Sequence, residues 1–141
     1  MYVMPTEPKE LLLKWIAALE SGKYKQTKGY LQTEEGFCCL GVLCNEIDPS
    51  QWSSWRVGDD NVRIKSYDAK EAMVPDHVCL QLPFIPSIPS TTYQEVSWNR
   101  LMAMNDREGK TFEEIAKYLR KTYSGKENKF FSHVYNKRRQ K

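Results

Sequence analysis

The sequence predicts a single compact α+β domain in which helices flank a small antiparallel sheet. Three observations lead there: helical spacing of apolar residues over 6–21 and again from Thr111, a short apolar run at 37–47, and alternation of apolar and polar residues around a turn cluster within 52–67. Residues 1–125 are expected to form the domain, with 126–141 as an aromatic and basic C-terminal extension.

The first helix is expected over residues 6–21, with Thr6 as cap, Pro8 in the first turn and Gly22 ending it. Leu11, Leu12, Trp15, Ile16 and Leu19 share one face, which should be core. Residues 23–31 are polar, with lysines and tyrosines interleaved, and rise into an expected strand near 29–32. That stretch reads either as a loop contacting a ligand or as a solvated loop whose tyrosines cover the core edge. In 37–47, Leu40, Leu43, Cys44 and Ile47 repeat at helical spacing, and Cys39 and Val42 make the opposite side apolar too. A helix buried on most faces follows, and Gly41 within it predicts close approach of another backbone.

Trp52, Trp55 and Val57 precede Gly58-Asp59-Asp60-Asn61, after which Val62, Ile64 and Ser66 alternate with Arg63, Lys65 and Tyr67, the pattern of a β-hairpin. Pro75 starts a short helical turn through Leu82, and prolines 83, 86 and 89 mark an irregular connection. Thr111-Phe112-Glu113-Glu114 is a capping box for a last helix with Phe112, Ile115, Ala116 and Leu119 inward, stopped by Ser124-Gly125.

Composition narrows the function. The net charge is +3, yet residues 126–141 hold six Lys or Arg and one Glu, so residues 1–125 are net −2. The body is therefore not a uniformly basic nucleic-acid binder, and nucleic acid is not the expected partner. The longest apolar stretch, 37–44, is far too short to span a bilayer, and the first residues lack a secretory pattern, so a cytoplasmic protein without membrane contact is expected. In that compartment Cys38, Cys39, Cys44 and Cys79 read as free thiols.

Catalytic and metal chemistry find little footing. On a helix Cys39 and Cys44 point about 140° apart, and Cys38 and Cys44 about 120° apart, so they do not converge on one ion. His77 and His133 carry no catalytic spacing relative to a thiol. The pairs Glu34-Glu35, Asp59-Asp60 and Glu113-Glu114 suit turns or an exposed helix better than an acid and base couple, and no phosphate-cradling glycine loop is present. No cofactor, metal or catalytic residue is expected. What remains is binding by rings and cations: Tyr24, Tyr30, Trp52 and Trp55 for stacking on bases, Lys23, Lys25, Lys28 and Arg56 for phosphates. The same aromatics also suit ordinary packing.

The blocks Ser21-Gly22-Lys23-Tyr24-Lys25-Gln26, Gly29-Tyr30-Leu31, Phe37-Cys38-Cys39-Leu40-Gly41-Val42-Leu43-Cys44, Met104-Asn105-Asp106 and Thr111-Phe112-Glu113-Glu114-Ile115-Ala116, in this order, resemble a widespread family of small bacteriophage proteins. Residues 49–99 match weakly. The family looks like phage anti-defence (anti-CBASS) sponges. The resemblance implies a viral immune-evasion protein in the infected bacterial host's cytoplasm that binds cyclic nucleotide second messengers without cleaving them. It also implies a homo-oligomer whose subunits assemble the pockets. Expected ligand-binding residues are Lys23, Tyr24, Lys25, Gln26, Lys28, Tyr30, Trp52, Trp55, Arg56, Asn105 and Asp106. The site is expected where residues 23–30 meet 52–56. Asn105 and Asp106 read either as a turn before Gly109 or as readers of a base edge. The competing classes are an adaptor that binds a host protein through the aromatic and proline-rich middle, and a weak nucleic-acid binder using the basic extension.

Overall fold

Helix α1 (Pro8–Glu20) buries Leu11, Leu12, Trp15, Ile16, Ala18 and Leu19, the face set by their spacing, and Gly22 at φ +76° turns the chain away after it. The computed structural model describes residues 8–87 and 96–123. Thr6, residues 88–95 of the proline-rich connection, the Ser124-Gly125 stop, His133 and the extension 126–141 lie outside the described residues.

Strands β1 (Gln32–Thr33) and β2 (Gly36–Phe37) form a tight hairpin, with Glu34 and Glu35 exposed between them. Helix α2 (Cys39–Ile47) follows, and then a second hairpin of β3 (Arg56–Val57) and β4 (Arg63–Lys65). The hairpins join through β1 and β4, giving an antiparallel sheet of order β2-β1-β4-β3. The first strand thus begins three residues later than the expected 29–32. Leu31 N–H donates instead to Glu71 O at 2.6 Å. Residues 25–27 run beside β2, where Phe37 N–H donates to Lys25 O and Thr27 N–H to Phe37 O, each at 2.8 Å.

Helix α2 is the centre of the core, with Cys39, Leu40, Val42, Leu43 and Cys44 at 0% exposure. Gly41 lets it touch the loop before β1: a Cβ there would stand 1.9 Å from Leu31 O. Trp15 packs across α2 and donates from Nε1 to Cys39 O at 2.9 Å. On its other side its ring lies 6.0 Å from that of Trp98.

Three helices complete the fold, of which the first is the single turn α3 (Asp76–Cys79) after Pro75 and the last is α5 (Phe112–Tyr123). The capping box of α5 closes as expected, Glu114 N–H donating to Thr111 Oγ1 at 3.1 Å and Thr111 N–H to Glu114 Oε1 at 2.9 Å. Between them stands α4 (Trp98–Asp106), which the sequence reading did not place. Ser97 caps it by accepting the Arg100 N–H at 2.9 Å, and Trp98, Leu101, Met104 and Asn105 form its buried side. Asn105 and Asp106 are therefore the end of a helix and not a turn. The architecture is a single compact α+β domain, with five α-helices and a four-stranded sheet among the described residues. No helix among them is long and apolar enough to cross a membrane.

Candidate functional site

The residues expected to bind a ligand fall into three groups in space. The first, Gln26 with Asn105 and Asp106, is an interior clamp. Gln26 Nε2 donates to Asn105 Oδ1 and to Lys110 O, each at 2.8 Å, and its Oε1 accepts the Phe112 N–H at 3.2 Å. Asn105, at 0% exposure, also accepts the Cys39 N–H at 3.1 Å and donates from Nδ2 to Thr27 O at 2.8 Å and Asp106 Oδ1 at 2.9 Å. Asp106 Oδ1 in turn accepts the Gly29 N–H at 3.0 Å. Cys39 and Phe112 open α2 and α5, so the clamp satisfies N–H groups that the helices leave unpaired. The amide atoms that would read a base edge are already engaged. Above this clamp Lys25 and Lys28 are exposed, Tyr30 is half-buried, and no ion pair engages either lysine among the described residues.

The second group is an aromatic run through the body. Tyr24 meets Phe37 edge-on at 5.0 Å between centroids, Phe37 meets Trp52 at 5.9 Å, and Trp52 meets Tyr67 at 4.9 Å. Polar bonds lock it: the Tyr24 hydroxyl donates to Glu46 and accepts from Asn45 Nδ2 at 2.8 Å, while Trp52 Nε1 donates to Asn45 Oδ1 at 3.0 Å. Burial, reinforced by Glu46, pushes the Tyr24 hydroxyl up to about 12. Lys23 sits 3.5 Å from Glu46 and 5.2 Å from the Tyr24 ring centre. Tyr24 and Trp52 are linked through Phe37 and Asn45, and their rings pack edge-on against protein.

The third group lies on the second hairpin. Trp55 is half-buried, with Lys65 Nζ 4.9 Å and the Arg63 guanidinium 5.7 Å from its ring centre. Arg63 also pairs with Glu34 at 3.1 Å, and Arg56 with Glu71. The pairing Val57↔Arg63 and Arg56↔Ile64 puts Trp55 level with Lys65, so one face of the hairpin carries the ring and both cations. Arg63 and Lys65 were absent from the expected set, although the alternation over 62–67 had placed them on one face.

Residues 23–30 and 52–56 thus approach each other at Tyr24 and Trp52, through Phe37 and Asn45, while their outer cations diverge. The strip at 25–27 flanks β2 at one side of the sheet and Arg56 lies on β3 at the other. Four strand spacings separate Lys25 from Arg56, roughly 19 Å. Strand order, invisible in the local pattern, sets this distance.

Cys38, Cys39 and Cys44 are interior, and Cys79 is half-buried. Cys38 precedes α2 and accepts the Gly41 N–H on Sγ at 3.4 Å; burial pushes its thiol up to about 12, and those of Cys39 and Cys44 well above the ordinary value. Among the described residues no three His, Cys, Asp or Glu side chains gather to hold a metal ion. His77 Nε2 is paired with Asp68 at 3.0 Å.

The family model described as a domain of unknown function (DUF8296) matches residues 7–123. No curated protein and no solved structure matches the chain.

Proposed function

The chain belongs to the DUF8296 family, and we propose that it binds a cyclic nucleotide second messenger of bacterial anti-phage defence and sequesters it without cleavage, as a homo-oligomer in the cytoplasm of the infected host. One observation carries this reading: the half-buried Trp55 ring with Lys65 and Arg63 beside it on one hairpin face. An indole offers a plane for a base, and Lys65, with no carboxylate partner among the described residues, offers a cation for its phosphates, while Arg63 is shared with Glu34. Lys25 and Lys28 add exposed positive charge on the far side of the sheet. A ligand touching both groups bridges two copies of the chain, in keeping with pockets assembled by subunits.

Sequestration needs binding without turnover. Cys38, Cys39 and Cys44 are buried and held as neutral thiols, which are poor nucleophiles. Calorimetry with cyclic di- and trinucleotides and cyclic ADP-ribose isomers tests the proposal, together with mass spectrometry of the ligand recovered after hours with excess protein. Binding tighter than micromolar to one of them, with intact recovery, is expected. Recovery of a linear product means an enzyme, and the absence of micromolar binding to every member of the panel overturns the reading.

A further inference from the structure

The sheet has one closed edge and one open edge. Residues 25–27 close the β2 side, where Phe37 N–H donates to Lys25 O and Thr27 N–H to Phe37 O. β3 forms the other side, and among the described residues no strand pairs with its outer edge. Glu34 N–H donates to Arg63 O at 3.3 Å, so the backbone of Arg63 points to β1 and the pair Val57↔Arg63 exchanges no hydrogen bond. The N–H and C=O of Val57 therefore point out along the open edge. Trp55, two residues back, makes no backbone hydrogen bond among the described residues.

Edge strands that stay in solvent are ordinarily guarded by unpaired charge or proline. On β3 the one charged side chain, Arg56, is matched by Glu71. Val57 is 59% exposed beside the half-buried Trp55 on the outer face. The edge thus offers both backbone groups and apolar surface.

We infer that β3 pairs antiparallel with β3 of a second copy, about a two-fold axis at Arg56 that sets Trp55 against the partner's Val57 and Val57 against the partner's Trp55. An axis at Val57 would instead set the exposed Asp59 of one copy against the Trp55 ring of the other, so apolar matching selects the register. On the opposite face each Arg56 meets its twin with Glu71 alongside, and two carboxylates balance two guanidiniums at the axis. Because the other edge is closed, the pairing ends at two copies, joining two four-stranded sheets edge to edge. It brings the two Trp55 side chains to a diagonal spacing of about 7–8 Å, with Lys65 of each copy beside them. A ligand on that face then touches both copies, a consequence that rests on the nucleotide reading; the pairing itself does not.

Sedimentation equilibrium of the full chain without nucleotide, from about 10 µM to about 1 mM, tests this over the range of weak, small interfaces. A monomer–dimer equilibrium is expected, with exchange protection of the Val57 N–H rising with concentration. Val57→Lys should raise the dissociation constant at least about ten-fold, whereas Leu80→Lys, at a side chain 75% exposed at the end of α3, should leave it unchanged. A monomer throughout, species beyond a dimer, or equal losses in the two variants overturn the proposal. If Val57→Lys fails to fold, protection of the Val57 N–H in the unaltered protein decides. A dimer that binds no nucleotide removes the functional reading and leaves the pairing, and a monomer that binds one does the reverse.

Discussion

Gln26 Nε2 donates to Asn105 Oδ1 at 2.8 Å across 79 positions of sequence, and around this one bond the loop before β1, the start of α2, the end of α4 and the start of α5 are joined. A fully satisfied polar network inside a protein specifies geometry because each member's loss strands the others. Here it sets the path of the loop that carries Lys25 and Lys28.

Asn105→Ala should therefore be among the most damaging single changes. It strands the Cys39 N–H, the Gln26 amide and Thr27 O together, for an expected loss of about 3 kcal/mol or more. Urea unfolding measures it. A loss under about 1 kcal/mol, within the net worth of one ordinary hydrogen bond, would show that the clamp contributes little.

Gly41→Ala should destabilise far more than helix propensity suggests. In an open helix the change is favourable by about 1 kcal/mol, but here the new Cβ meets Leu31 O at 1.9 Å, so α2 or the loop must move. The expected result is a net loss of about 1–3 kcal/mol, read as a lowered denaturation midpoint.

Thiol reactivity should follow burial. In native protein only the half-buried Cys79 should react with a disulfide reagent, slowly, since burial raises its pKa as well. Cys38, Cys39 and Cys44 should react after denaturation, and each Cys→Ala change should lower stability by about 1–2 kcal/mol. Rapid labelling of all four in native protein would contradict the buried placement.

On the hairpin, ring and cation have separable roles. Trp55→Ala should weaken nucleotide binding by roughly 1–3 kcal/mol without unfolding the protein, and Lys65→Ala should weaken it while flattening its salt dependence. Trp52→Ala should instead cost about 3 kcal/mol of stability, because that ring packs between Phe37 and Tyr67. Calorimetry at two ionic strengths, paired with thermal melts, distinguishes the cases.

Acid should destabilise the fold through Asp48 and Glu114. The Ser50 hydroxyl and N–H lower the pKa of Asp48, and the Thr111 N–H lowers that of Glu114. Their contribution is complete above the unfolded carboxylate values of about 4 and is lost as pH falls through the lower folded ones. The urea midpoint should drop below about pH 4, and Asp48→Asn should flatten that drop. An unchanged slope would remove Asp48 from the account.

The sequence by itself determined α1, α2, the second hairpin and α5, because periodicity and caps are local signals. Thr111 and Glu114 sit three residues apart, and Gly41 announced a close neighbour without saying which. Helix α4 was legible in principle from Ser97 and the spacing of Trp98, Leu101 and Asn105, yet the Asn-Asp pair favoured a turn by local chemistry. Tertiary structure alone decided the partners: Asn105 with Gln26, Trp52 with Tyr67, Trp55 with Lys65, and Asp68 with His77. Residue type tells what a side chain can bind, but sheet register and helix docking decide what it reaches. That is why Lys25 and Arg56, from two segments that look like one site in the sequence, stand at opposite edges of the sheet, although Tyr24 and Trp52 pack on the same Phe37 ring.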